Sequence, residues 1–236
     1  MIFTNTRKNF HKISVKINKT PLEKCTKYKY LGIVIDEKLN WKDHIEYVCK
    51  KVSKACGIFA KLRHCASVEL LRDIYYALFY SYMRYGITIW GNACETALSP
   101  LQTLLHRAAR IMTFAPFGRI DIFPLLNYLE ILDIKDIFTL ETAKLIFKVR
   151  NDMIPIPLKN YFEVRNRAAH RYNLRQRQEI MQPMIYKTSY ALKSIQYKAP
   201  FIWNDVPQNL QDCETLTRFK KQFKLYLLQM QGAEEP

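Results

Sequence analysis

Apolar and polar positions alternate at the start of the chain and then change period. In "KISVKINKT" (12–20), Ile13, Val15 and Ile17 fall on one face, with Ser14 and Lys16 on the other. That is the two-residue period of a strand. "MIFTN" (1–5) also reads as a strand. "KYLGIVID" (29–36) is a further one, rich in β-branched and aromatic residues. Gly32 inside it marks a bulge or a close approach to the backbone. From Asn40 the spacing becomes three and four: Trp41, Ile45, Val48, Val52, Cys56, Phe59 and Leu62 form one helical stripe. Asn40 is the expected N-cap, with Asp43 in the first turn.

Four more helices follow from the same reasoning. Ser67 caps one whose core stripe is read as Leu70, Leu71, Ile74, Leu78, Tyr82 and Tyr85, ending near Gly86. Ser99-Pro100 opens the next, as an N-cap with Pro at the first helical position. Its Leu101, Leu104, Leu105, Ala108, Ile111 and Met112 face inward, and His106, Arg107 and Arg110 outward. Asp133 with Asp136 caps a helix running to about Asn151. Thr215 caps the last, with Leu216, Phe219, Phe223 and Leu227 inside and Arg218, Lys220, Lys221 and Lys224 outside. The expected fold is α+β and predominantly α-helical: a short β segment over 1–38, a helical bundle over 39–151, and a basic C-terminal helical region over 152–236. The most apolar window, 70–90, is interrupted by Arg72, Asp73 and Arg84, so it reads as a buried helix and not a membrane span.

Charge changes this picture. The chain has 236 residues, 49% of them hydrophobic, enough for a substantial core. Lys and Arg number 37 against 21 Asp and Glu, a net charge of +16. Self-repulsion of that size points to a polyanionic partner, nucleic acid first and an anionic membrane second. A merely basic protein stays open as the plainer reading. The cations are also segregated. Lys50, Lys51, Lys54, Lys61 and Arg63 line the polar side of the helix after Asn40, with no acid after Glu46. Solvated faces usually mix signs, which favours phosphate contact here. Arg165, Arg167, Arg171, Arg175 and Arg177 cluster with His170 and Tyr172 as interleaved stacking groups. Arg107 and Arg110 fit either phosphate contact or pairing with Asp133 or Asp136. The six cysteines include no C-x-x-C pair and the five histidines no metal spacing, which argues against a zinc site and for free thiols in a reducing compartment, nuclear or cytoplasmic.

Several stretches then resemble one family, in its order along the chain. "KYLGIVIDEKLNWKDHI" (29–45) resembles the palm–thumb junction of non-LTR retrotransposon reverse transcriptases of the jockey type. "MIFTN" is similar to the strand that ends their palm's nucleotide-binding region. Tyr85-Gly86 to Trp90, followed by "LLHRAARIM" (104–112), resembles their thumb. "HRYNLR" (170–175), "APFIWNDVP" (199–207) and "TLTRFKKQFKLYLL" (215–228) resemble their C-terminal region. The resemblance implies part of an RNA-directed DNA polymerase. It assigns 1–38 to the end of the palm, 39–151 to the thumb and 152–236 to a C-terminal extension.

Polymerase chemistry needs carboxylates around divalent metal, here magnesium. This chain holds no Asp-Asp pair; its adjacent acids are Asp36-Glu37 and Glu234-Glu235. The chain alone is therefore expected to be inactive and to hold no cofactor, metal or small-molecule ligand of its own, the fingers and metal-binding palm being separate partners. Its expected partners are RNA and an RNA–DNA hybrid, with no membrane. The resemblance implies a hairpin at Tyr30, Leu31 and Gly32 that touches the primer end, where Gly admits a close backbone and Tyr offers a flat surface. Ordinary strand packing of Tyr28, Tyr30 and Gly32 stays open beside it. So do a stand-alone nucleic-acid-binding role and a non-functional remnant of a decayed element.

Overall fold

Two consecutive left-handed residues shape the start of the fold. Leu31 and Gly32 hold φ of 46° and 82° and fold "KYLGIVID" back on itself, so the stretch that its pattern alone reads as one strand is a hairpin, as the resemblance implies. The computed structural model describes residues 1, 3, 15–116, 118, 121–162, 192 and 194–232. In it β1 (Lys16–Ile17) and β2 (Thr20–Pro21) form one minimal antiparallel pair. β3 (Lys27–Tyr30) and β4 (Ile33–Asp36) form a second, with Tyr30 opposite Ile33 across a two-residue turn. Positive φ at both central residues is what such a hairpin turn requires. Val15 and Ile17, read on one face of a strand, are 50% and 58% exposed, and none of the described residues covers this short ribbon. The "MIFTN" strand and Ile13 lie outside the described residues, Met1 and Phe3 apart.

The hairpin leads into α1 (Lys42–Leu62) through a loop organised by Asp36. Its buried carboxylate accepts from the backbone N–H groups of Lys38, Asn40 and Trp41. The cap position is Trp41, not Asn40, and its φ of 64° gives no side-chain capping bond there. Asn40 instead accepts from the Lys42 N–H. One turn on, buried His44 ties the helix to the strand: its Nδ1 accepts from the Val34 N–H at 3.3 Å. Its ring also meets Trp90 edge-on, with centroids 5.4 Å apart.

Burial, reinforced by the positive charge of Lys29, pulls His44 down to about pKa 4. The unfolded chain takes up this proton near pH 6.5, so the folded state loses stability as pH falls from there toward 4. The expected loss is about 3 kcal/mol at full extent. A His44→Gln variant should show a flatter stability profile over that window in urea melts at stepped pH. Parallel profiles for the two proteins would refute the assignment.

α2 (Val68–Tyr75), capped by the Ser67 hydroxyl as expected, passes into a π-helical turn (Tyr76–Tyr80) and α3 (Ser81–Arg84). The buried stripe here is Leu71, Tyr75, Phe79 and Met83. Leu70, Leu78, Tyr82 and Tyr85, expected in the core, are exposed. The buried residues recur every four positions, which drifts around an ordinary α-helix. The wider π turn takes up that drift and keeps the stripe facing inward.

Gly86, at φ 62°, ends this run and starts α4 (Ile87–Trp90). The Tyr85 hydroxyl donates to the Leu31 carbonyl at 2.6 Å, and the Trp90 indole donates to the Tyr85 carbonyl at 2.9 Å. The buried Trp90 thus holds the turn on which the hairpin tip rests. A Cβ on Gly86 would come within 2.6 Å of Ile33 Cδ1. Gly86→Ala is expected to cost roughly 1–3 kcal/mol through backbone strain and overpacking, read as a lower urea midpoint. An unchanged midpoint would mean the hairpin does not rest there.

α5 (Glu95–Thr113) begins four residues before the expected Ser99-Pro100 cap, with Cys94 at the cap position and Pro100 inside the helix. α6 (Phe123–Tyr128), α7 (Ile134–Arg150) and α8 (Ile156–Tyr161) follow. Then come α9 (Ile195–Asn204), α10 (Gln208–Gln211) and α11 (Leu216–Met230), the last capped by the Thr215 hydroxyl. One continuous apolar core runs from Ile45 on α1 to Leu228 on α11. Within it α1 packs on α5, and α7 is flanked by α9 and α11. The fold is α+β and predominantly helical, with small antiparallel sheets at its start. No helix among the described residues is long and apolar enough to cross a membrane.

Candidate nucleic-acid interface

The outward face of α1 is set by the burial of its inward one. Ile45, Val48, Val52, Cys56 and Phe59 are buried, which leaves Lys50, Lys54, Gly57 and Lys61 along the opposite side at spacings of four, three and four. Lys54 and Lys61 are exposed and have no acidic partner among the described residues. Lys50 pairs with Glu46 at 2.6 Å, so part of its charge is already answered. A Cβ on Gly57 would meet nothing within 4 Å. Between Lys54 and Lys61 the helix therefore presents bare backbone.

The hairpin joins this face at its N-terminal end. Lys29 lies 4.6 Å from the centroid of the Tyr47 ring, and Lys51 lies 5.6 Å from the same ring. Lys27 pairs with Asp43 at 3.3 Å. At the tip Tyr30 is 59% and Leu31 71% exposed, and Gly32 is open on one side and backed by Tyr85 on the other. Tyr28 also points to solvent, so neither tyrosine is packed against the core. Arg63 lies at the far end of α1 with its guanidinium 4.0 Å from the Phe114 ring centroid.

The other expected residues are placed less together. Arg107 is exposed on α5 beside Cys56, whose thiol burial pushes up to about 11 against the pull of that arginine. Arg110 is half-buried near His106. Asp133, one of the two acids weighed as partners for these arginines beside Asp136, accepts from the Gln102 amide, with His106 3.9 Å away. Arg165, Arg167, Arg171, Arg175 and Arg177 lie outside the described residues. Lys224, expected to face solvent, is half-buried: it donates to the Tyr76 hydroxyl at 2.9 Å.

Sequence reading missed Lys29, Tyr47 and Gly57. Lys29 gives no local signal, since only the way the hairpin folds back brings it over Tyr47. Gly57 carried a signal, since glycine inside a helix costs about 1 kcal/mol against alanine and asks for a reason. Among the described residues no group of three or more His, Cys, Asp or Glu is arranged to hold a metal ion.

The described residues thus join a cationic helix to a tyrosine-bearing hairpin tip. Sequence similarity supports a reverse transcriptase-related fragment. Over 103 residues, 42% of this chain, it is 27% identical to the probable RNA-directed DNA polymerase from transposon X-element of Drosophila melanogaster. Over 99 residues, 41% of the chain, it is 28% identical to the probable RNA-directed DNA polymerase from transposon BS of the same organism. The matched stretch spans 11% of the length of each relative. No family model and no solved structure matches.

Proposed function

We propose that this chain is the thumb-side, C-terminal portion of a non-LTR retrotransposon reverse transcriptase, and that it positions the template–primer duplex without supplying the catalytic aspartates. The duplex lies along Lys50, Lys54, Gly57 and Lys61, flanked by Lys51, with the primer end at Tyr30, Leu31 and Gly32. The observation that carries this reading is the outward face of α1, which bears lysines and no acid after Glu46, and its junction with the hairpin through Lys29 and Tyr47. An A-like hybrid is recognised by shape and backbone, so cations on one helix face suffice. Magnesium and its carboxylates belong to the palm, which on this reading packs over the exposed Leu78, Tyr82 and Ile89 and leaves the hairpin tip open. The second reading, a stand-alone nucleic-acid-binding protein, uses the same face and differs in needing no palm.

The test is binding of a labelled RNA–DNA hybrid by the full chain from 50 to 400 mM salt. Log affinity should fall linearly with log salt, steeply enough for several phosphates. A flat response, or no binding at 50 mM, would remove the reading. Gly57→Ala separates contact from mere charge. The substitution should raise stability by about 0.5–1 kcal/mol. It should nevertheless weaken hybrid binding several-fold, because the methyl group keeps the sugar-phosphate chain off the backbone. Gain of stability with unchanged binding would place the duplex elsewhere.

A further inference from the structure

A second concentration of positive charge lies on the other side of α3, where α7 meets the start of α11. Arg84, Lys144, Lys148 and Lys220 converge on a cleft of about 430 Å³ in which Glu141 is the lone carboxylate. Glu141 is already engaged. It accepts from Arg84 Nε at 2.8 Å and from the Lys144 ammonium at 2.7 and 2.8 Å. Lys148 and Lys220 have no acidic partner among the described residues. The cleft thus holds three positive charges more than its own acid answers. Lys144 is almost fully buried there, and burial, with the charges of Arg84 and Lys220, pulls its ammonium below the usual range against the pull of Glu141. Holding like charges this close is unfavourable unless an anion normally sits among them.

The first turn of α11 closes the cleft. Leu216 and Thr217 line it. The Arg218 N–H donates to the Thr215 hydroxyl and the Phe219 N–H to the Thr215 carbonyl, so the two N–H groups left over at this helix start belong to the lining residues. We propose that this cleft binds a phosphate group: four cations and a helix start around one open cleft, separate from the α1 face and built by different elements. The chemistry is that of a phosphate monoester or diphosphate, carried free or on the end of a nucleic-acid strand. Arg84 and Lys144, held by Glu141, supply fixed charge. Lys148 and Lys220 are the mobile arms that close on the ligand.

The test uses the full chain and three probes at 50 mM salt: inorganic pyrophosphate, a 5′-phosphorylated hexanucleotide RNA, and the same RNA without its phosphate. The variant Lys148→Gln/Lys220→Gln is compared with Lys198→Gln/Lys221→Gln, which removes equal charge from exposed positions outside the cleft. Each phosphate-binding cation is worth about tenfold in affinity. The cleft variant should lose pyrophosphate binding at least tenfold, and the outside variant less than about twofold. Preference of about tenfold for the phosphorylated RNA over the unphosphorylated one would assign the ligand to a strand end. Pyrophosphate bound at least as well as that RNA would assign it to a free anion. Equal losses in the two variants, or no pyrophosphate binding by the unmodified chain, would overturn the proposal. A variant of Lys54 and Lys61 that loses hybrid binding but keeps pyrophosphate binding would separate this site from the α1 face.

Discussion

Exchange of Lys51, Lys54 and Lys61 for glutamine is expected to lower the affinity for an RNA–DNA hybrid by roughly a hundred- to a thousandfold at 0.1 M salt. Each phosphate neutralised by a lysine contributes about 0.9 to the slope of log affinity against log salt. Three lost contacts should therefore flatten that slope by nearly three and remove close to one decade of affinity each at this salt. The face contains its own control. Lys50 sits on the same side of α1 and is tied to Glu46 at 2.6 Å. Lys50→Gln removes a charge that the helix has partly answered and should change the slope least. Equal effects of all four lysines would mean that net charge alone drives binding. An unchanged slope in the triple variant would take the duplex off this helix.

The second large effect is on the joint between hairpin and helix. Asp36→Ala removes the acceptor for the N–H groups of Lys38, Asn40 and Trp41 in one step. Hydrogen bonds to a charged group contribute about 1.5–3 kcal/mol each, and the donors left behind are partly buried. The expected destabilisation is about 3–5 kcal/mol, seen as a lower urea midpoint and as faster amide exchange at Asn40 and Trp41. Asp36→Asn keeps one acceptor oxygen and should recover about half of the loss. The loop also holds Leu39 and Trp41 at positive φ, so it has little other reason to keep its shape. A loss under 1 kcal/mol in Asp36→Ala would show that packing of Trp41 alone orients the helix.

Two helix starts were legible because a short polar residue stands where a first turn needs an acceptor. Ser67 and Thr215 cap as read, each accepting from the N–H three residues on. Asn40 had the same credentials and was displaced by Asp36, four residues earlier, whose carboxylate reaches more donors than an amide oxygen. Nothing local distinguishes the two, since the outcome depends on the hairpin bringing Asp36 back over the loop. Ser99-Pro100 failed for a related reason. Its signature is that of a helix start, yet α5 extends to Glu95 through tertiary burial of Ala97 and Leu98. The stripe from Leu70 to Tyr85 failed because that segment is apolar on two sides, and periodicity alone does not choose between them. Of the candidate site, the lysines of α1 were visible as a run without acids. The supporting aromatic, Tyr47, and the answered charge of Lys50 needed the fold.

The π turn at Tyr76–Tyr80 has a consequence for tracing the ancestry of this chain. Such a turn holds one residue more than the α-helical turn it replaces. A relative in which this helix is regular should be one residue shorter between the counterparts of Ser67 and Gly86. In an alignment the gap would fall among the tyrosines, and its apolar stripe would return to mixed spacings of three and four. A lineage could thus be sorted into members with and without the insertion from one column, before any other position is compared.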